Sequence, residues 1–171
     1  EWSKLHGRNA SPKYVLGESY GTMRAVSMAS QLQKLPTPLD GVILLGQAIN
    51  IVEFSQRPAN IISYVVSLPT LAAAAHFHGK GRPAGRSLEQ FTEDAWRFAH
   101  AEYLHALFKG RALDASGRQH IATQLETYSG LPASWYLANN LRISKENYRR
   151  ELFRAEGLIL GQNDARYKGP N

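Results

Sequence analysis

Apolar residues follow two different rhythms along this chain, one before Asn50 and one after it. Tyr14-Val15-Leu16 is a short apolar run, and Gly41-Val42-Ile43-Leu44-Leu45-Gly46 is a continuous β-branched and aliphatic run bounded by glycines. The pattern predicts strands over residues 13–17 and 41–46, the second a parallel strand covered on both faces. Between them, from Tyr20 to Lys34, Met23, Val26, Ala29 and Leu32 or Gln33 recur at three-to-four spacing. That spacing predicts a helix with one buried stripe, stopped by Pro36 and Pro38. Strand, helix, strand in this order predicts a right-handed βαβ unit. Two strands do not make a stable sheet alone, so their edges are expected to be covered by further core strands or by a homo-oligomeric partner. Residues 1–11 read as the end of a helix, with Trp2 and Leu5 on one side and Gly7 terminating it.

After Asn50 the period is helical throughout. Pro58 to Val66 predicts one helix, and Ser67 with Pro69 reads as the N-cap and first helical position of a second running into Ala75. The loop Gly79-Lys80-Gly81-Arg82-Pro83-Ala84-Gly85-Arg86 is rich in glycine and basic residues, but its spacing fits neither a P-loop nor a dinucleotide fingerprint, and it reads as a mobile surface loop. Ser87-Leu88-Glu89-Gln90 resembles a capping box opening a long helix, in which Phe91, Ala95, Phe98 and Ala99 share a face and Lys109 and Gly110 mark the end. Asp114 is the predicted cap of the next helix, with Ile121, Leu125 and Tyr128 on its apolar side and Gly130 at its end. Pro132 to Ala138 and Ser144 to Ala155 predict two more. The expected class is therefore α/β and helix-dominated: a strand–helix–strand core segment over 1–52, a helical insertion over 53–155, and the start of a return to the core over 156–171.

Composition narrows the functional classes. The 171 residues are 43% hydrophobic and 20% charged, enough for a packed core. Lys and Arg total 20 against 14 Asp and Glu, a net charge of +6, but the cations are scattered and no nucleic-acid partner is expected. The basic helix bearing Arg142, Lys145, Arg149, Arg150 and Arg154 reads as a solvated face. With no cysteine, disulfides, thiolate metal sites and a cysteine nucleophile are excluded. The longest apolar group, Ile61 to Ala75, is interrupted by Ser63, Tyr64, Ser67, Pro69 and Thr70, so no membrane span is expected. His76 with His78 and His100 with His105 have spacings that do not converge on a helix, and no metal or cofactor is expected. Asn9-Ala10-Ser11 matches a glycosylation sequon, read as coincidence. Trp96, Trp135 and Tyr136 read as core or groove residues.

The candidate chemistry lies at Gly17-Glu18-Ser19-Tyr20-Gly21, a G-x-S-x-G sequence with a predicted strand before it and a predicted helix after it. This is the context of a nucleophile elbow, in which Gly17 and Gly21 allow strand and helix to pack closely and Ser19 stands at the apex. Its hydroxyl then sits at a helix N-terminus, where the N–H of Tyr20 and the helix dipole can stabilise a developing oxyanion. The plainer alternative is that Ser19 is a helix N-cap. For a hydrolase of this fold the base and acid follow the serine in the order Asp, His. His6 precedes Ser19, and His76, His78, His100, His105 and His120 lie on the helical stretch. The triad aspartate and histidine are accordingly expected to be absent from these residues, which would leave them inert on their own. With the serine only 19 residues from Glu1, an internal segment of a longer protein is expected.

The run Tyr-Val-Leu-Gly-Glu-Ser-Tyr-Gly over Tyr14–Gly21 resembles the elbow of the serine carboxypeptidases. Tyr128-Ser129-Gly130-Leu131, Asn140-Leu141-Arg142-Ile143 and Gly161-Gln162-Asn163-Asp164-Ala165-Arg166 are similar to segments of the bacterial branch of that family. Thr22, where many eukaryotic members have a second glycine, and Gln162, where the bacterial pattern has arginine, depart from it. The resemblance implies a piece of an α/β-hydrolase core followed by a helical cap. It implies a periplasmic or secreted peptidase that removes C-terminal residues through an acyl-enzyme on Ser19. It further implies that Glu18 helps bind the free carboxylate of the peptide substrate. A carboxyl group can do so only while protonated, which favours acidic pH. A second oxyanion donor is implied upstream of Glu1, and the triad aspartate and histidine after the insertion. An esterase or lipase with the same elbow, and a non-catalytic helical binding or assembly module, are the alternatives.

Overall fold

The computed structural model describes residues 1–36, 39–48, 50 and 55–170. Helices hold 53% of the chain and strands 10%, a helix-dominated mixed α/β architecture. It divides into two compact units, Glu1–Val52 and Glu53–Asn171. The positions flanking that division, Ile51 to Phe54, lie outside the described residues, as does Pro38.

In the first unit a short helix α1 (Trp2–Leu5) precedes strand β1 (Tyr14–Glu18), helix α2 (Gly21–Leu32) and strand β2 (Gly41–Leu45). β1 and β2 pair in parallel from Tyr14↔Gly41 to Glu18↔Leu45. The carboxylate of Asp40 fixes where the ladder starts, accepting the Lys13 N–H at 2.7 Å. The buried side of α2 differs from the predicted stripe. Thr22 and Ala25 are buried while Val26 is 41% exposed, because α2 approaches the sheet so closely that only small side chains fit between them. A Cβ on Gly17 would lie 2.3 Å from the Gly21 carbonyl oxygen and 2.9 Å from Ala25 Cβ. β2 also departs from expectation, since Val42, Ile43, Leu44 and Leu45 are all exposed, at 38–47%. Successive residues of a strand point to opposite faces, so apolar surface lies open on both faces of the two-stranded sheet.

The second unit runs through α3 (Ile61–Val65), α4 (Leu68–Phe77), α5 (Leu88–Phe98), a π-helical turn (Ala99–Tyr103), α6 (Leu104–Lys109), α7 (Ala115–Ser129), α8 (Ala133–Ala138), α9 (Lys145–Glu151), and strands β3 (Leu158–Leu160) and β4 (Lys168–Pro170). Local chemistry sets most boundaries. Ser87 Oγ accepts from Gln90 N–H while the Gln90 side chain accepts from Ser87 N–H, completing the capping box. Asp114 caps α7 through Gly117 N–H at 2.7 Å. α7 ends at Gly130, whose φ of +76° and Cβ position 2.7 Å from the Lys80 carbonyl oxygen leave room only for glycine. One predicted start moves. The segment from Pro58 is a turn until Asn60, with α3 beginning at Ile61. Ser67 holds the N-cap position of α4, with Pro69 in the first turn, but its hydroxyl donates to the Ser63 carbonyl at 2.6 Å and makes no cap bond.

The core of this unit joins Leu68, Phe98, Leu107, Leu125, Tyr136 and Leu160 with their neighbours. Its buried hydroxyls are paired: Tyr136 donates to Ser129 Oγ at 2.8 Å, and Tyr148 lies between the carbonyls of Ser129 and Leu71 at 2.9 and 3.1 Å. Burial pushes both phenols above their ordinary range, so they serve as neutral donors. β3 and β4 form an antiparallel hairpin, which the sequence pattern does not predict because three-residue strands are too short to show a period. Among the described residues no helix is long and apolar enough to cross a membrane.

Candidate active site at the first strand–helix junction

Ser19 stands between the end of β1 and the start of α2 with φ +51°, a left-handed conformation that costs a non-glycine residue about 1–2 kcal/mol. Hydrogen bonds on both sides hold it there. Its N–H donates to the Leu45 carbonyl at 2.9 Å, continuing the strand ladder. Its carbonyl accepts both the Thr22 N–H at 3.0 Å and the Thr22 hydroxyl at 2.7 Å. The same hydroxyl accepts the Ala48 N–H at 3.0 Å, so Thr22 ties the apex of the turn to the segment following β2. Thr22 is fully buried. Thr22 thus fixes the strained turn by hydrogen bonding.

This geometry leaves Ser19 exposed at the apex. The Thr22 and Met23 N–H groups are taken up by the Ser19 and Tyr20 carbonyls, at 3.0 and 3.2 Å. Among the described residues the N–H groups of Tyr20 and Gly21 therefore remain for an external acceptor, at the positive end of a 12-residue helix. Glu18 is exposed at the end of β1, directly before the serine. The two elbow glycines are not equivalent. Gly17 is buried against α2, whereas a Cβ on Gly21 would meet nothing within 4 Å. Beside the elbow, Tyr20, Met23, Arg24, Ser27 and Met28 line an open recess of about 510 Å³ on α2.

Within the first unit the histidine is His6, whose ring lies against Trp2 at 4.6 Å. The remaining histidines are engaged within the second unit: His76 with the Arg86 carbonyl, His78 with that of Ala165, His100 with that of Trp96, His105 with that of Ala101, and His120 with Glu102. No three histidine, aspartate or glutamate side chains among the described residues group as a metal site. The Gly79–Arg86 loop is anchored rather than mobile. The Lys80 and Gly81 N–H groups both donate to the Ala75 carbonyl and the Arg82 N–H to that of Thr127, while Lys80, Arg82 and Arg86 pair with Glu156, Glu126 and Asp94. The basic helix is only partly a solvated face, since Arg149 turns inward to the Leu160 carbonyl and Arg142 is half-buried. Of the aromatics, Tyr136 is fully buried, Trp135 half-buried and Trp96 exposed.

Thr22 is the site residue that motif reading misses, and its one signal is a polar residue in the first turn of a helix on the face that meets the sheet. Thr22→Val removes both hydrogen bonds at nearly constant shape. It is expected to raise the exchange rate of the Ala48 amide about tenfold, the equivalent of one lost hydrogen bond, while Thr22→Ser retains protection. Unchanged exchange at Ala48 in Thr22→Val would show that the hydroxyl is not what holds the turn. No protein-family model, curated protein or solved structure matches the chain.

Proposed function

We propose that this chain carries the nucleophile of a serine hydrolase of the α/β-hydrolase type, acting as a carboxypeptidase on peptide C-termini. The observation that carries the reading is the backbone of Ser19, left-handed at φ +51° within Gly17-Glu18-Ser19-Tyr20-Gly21 between a parallel strand and a helix. An ordinary N-cap serine has extended backbone angles and accepts a hydrogen bond from the first helical turn. Here α2 has no side-chain cap bond. In the proposed reaction Ser19 Oγ attacks the scissile carbonyl carbon as a base removes its proton. The Tyr20 N–H receives the developing oxyanion, the amine departs with a proton, and water then hydrolyses the acyl-enzyme.

On this reading the imidazole and its orienting carboxylate come from sequence beyond these residues, since in this fold they follow the serine in the order Asp, His, whereas the histidines here precede Ser19 or lie on the helical stretch. The open apolar faces of β1 and β2 are consistent with a sheet that continues into further strands and helices of a hydrolase core. Residues 53–155 then make up the helical cap.

Glu18 separates a carboxypeptidase from an esterase sharing the elbow, because an ester substrate has no carboxylate to bind. In the full-length enzyme, Glu18→Ala is expected to lower the preference for a peptide with a free C-terminus over its C-terminal amide. The fall is on the order of tenfold to a hundredfold, the worth of one hydrogen bond to a charged group. A preference left intact by Glu18→Ala would remove Glu18 from substrate binding and favour the ester reading.

A further inference from the structure

Most arginines of the second unit sit against carboxylates: Arg86 on Asp94, Arg149 and Arg150 on Glu146, Arg166 on Asp164. Four do not. Arg57, Arg111, Arg118 and Arg142 have no ion pair among the described residues, and the last three line one cavity of about 260 Å³ between the end of α6, the start of α7 and the Asn140-Leu141 segment. No carboxylate lines it. Asp114, the nearest acid in sequence, is occupied by Gly117 N–H and the Ser116 hydroxyl at 2.7 and 3.0 Å.

The backbone that delivers Arg142 is strained. Asn140 and Leu141 both hold left-handed angles, φ +53° and +62°, which two consecutive non-glycine residues keep only when their surroundings over-determine them. Those surroundings are the Leu141 N–H donating to the Tyr136 carbonyl at 2.8 Å, the buried Tyr103 hydroxyl donating to the Leu141 carbonyl at 2.6 Å, and the Leu141 side chain, buried in the core. Arg142 itself presents a buried Nε–H without an acceptor, the one such side-chain atom among the described residues. A buried charged donor left unsatisfied is among the more expensive arrangements a fold can hold. The strained segment thus holds Arg142 beside two further guanidinium groups that have no ion pair, and an anion in the cavity would offset their mutual repulsion.

The geometry points to a binding site for a small oxyanion, a phosphate or carboxylate group, held by Arg111, Arg118 and Arg142. The cavity has the volume of about nine water molecules and is smaller than a drug-sized pocket, which suits one anionic group with part of its hydration. Arginine is the fitting residue, since its planar fork matches both oxyanions in bidentate geometry. Arg142 also borders a recess of about 320 Å³ lined by Gln56, Tyr64, Trp135 and Asn147, whose polar groups are neutral, so the charge of a ligand belongs on the Arg111–Arg118 side. This site goes beyond the hydrolase reading and does not rest on it.

The test is calorimetric titration of the chain with inorganic phosphate and, separately, with succinate, at constant ionic strength set with sodium chloride. Saturable binding of at least one of the two is expected, and which of them saturates distinguishes a phosphate from a carboxylate site. Arg118→Gln, on α7, and Arg111→Gln, in the turn before it, are each expected to weaken it about tenfold or more. Arg97→Gln, at an exposed arginine paired with Glu93, is expected to leave it unchanged. Arg142→Gln is expected to abolish it, and circular dichroism of that variant checks that the fold survives. Absence of saturable binding by either anion, or equal affinity in the folded Arg111→Gln/Arg118→Gln double variant, would overturn the assignment.

Discussion

Ser19→Ala is expected to lower peptide hydrolysis by the full-length enzyme on the order of a million-fold, the loss seen when a hydrolytic serine is removed from an intact triad. The size follows from the role: Oγ forms the covalent bond of the acyl-enzyme, and no neighbouring side chain of the turn can replace it. Ser19→Gly sharpens the result because its two effects have opposite signs. Activity should fall as far, while the junction gains about 1 kcal/mol, since glycine occupies φ near +51° without the penalty that a Cβ imposes. A serine that served only as a cap would show little loss of activity in either variant. Activity within tenfold of the parent in both would remove Ser19 from the chemistry.

The second large effect concerns Gly17. Any side chain there places Cβ 2.3 Å from the Gly21 carbonyl oxygen, 2.6 Å from its carbon and 2.9 Å from Ala25 Cβ. Two of the three are backbone atoms, so relief requires α2 to move off the sheet, and with it the Thr22 contacts that hold Ser19. Gly17→Val is expected to destabilise the first unit by about 3 kcal/mol or more, at or above the upper end of overpacking costs. It should appear as lost hydrogen-exchange protection along α2 with α7 amides unaffected, since α7 lies in the other compact unit. Gly21→Ala provides the contrast: its Cβ would meet nothing within 4 Å, and alanine favours the helix that begins there. Equal loss of protection in both variants would mean that close approach at Gly17 is not what fixes the elbow.

The contrast between these glycines shows how far the sequence reaches. G-x-S-x-G between an apolar run and a helical period is enough to place the turn, because strand, turn and helix are local events with local signals. Which glycine is indispensable depends on where α2 lies over the sheet, and that is a tertiary fact. The buried stripe of α2 was legible only as a period: its phase shifts to Thr22 and Ala25 because the close approach at Gly17 admits small side chains rather than the most hydrophobic ones. Capping at Ser87 and Asp114 was readable because both partners lie within three residues of the cap. Ser67 has the same chemistry but bonds back to Ser63, since α3 and α4 follow one another too closely for a separate cap. The convergence of Arg111, Arg118 and Arg142 was hidden for a similar reason, as 31 positions separate the first from the last and no periodicity connects them.

The central claim is that Ser19 is an activated nucleophile once the rest of a hydrolase core surrounds it. A fluorophosphonate reacts with such a serine and spares an ordinary hydroxyl, so peptide mapping of the labelled full-length protein tests the claim most directly. The account predicts one adduct, on Ser19, absent in Ser19→Ala, and no adduct on residues 1–171 alone, which on this account lack the triad base. An adduct on a different residue, or a full-length protein that stays unlabelled while retaining peptidase activity, would contradict it.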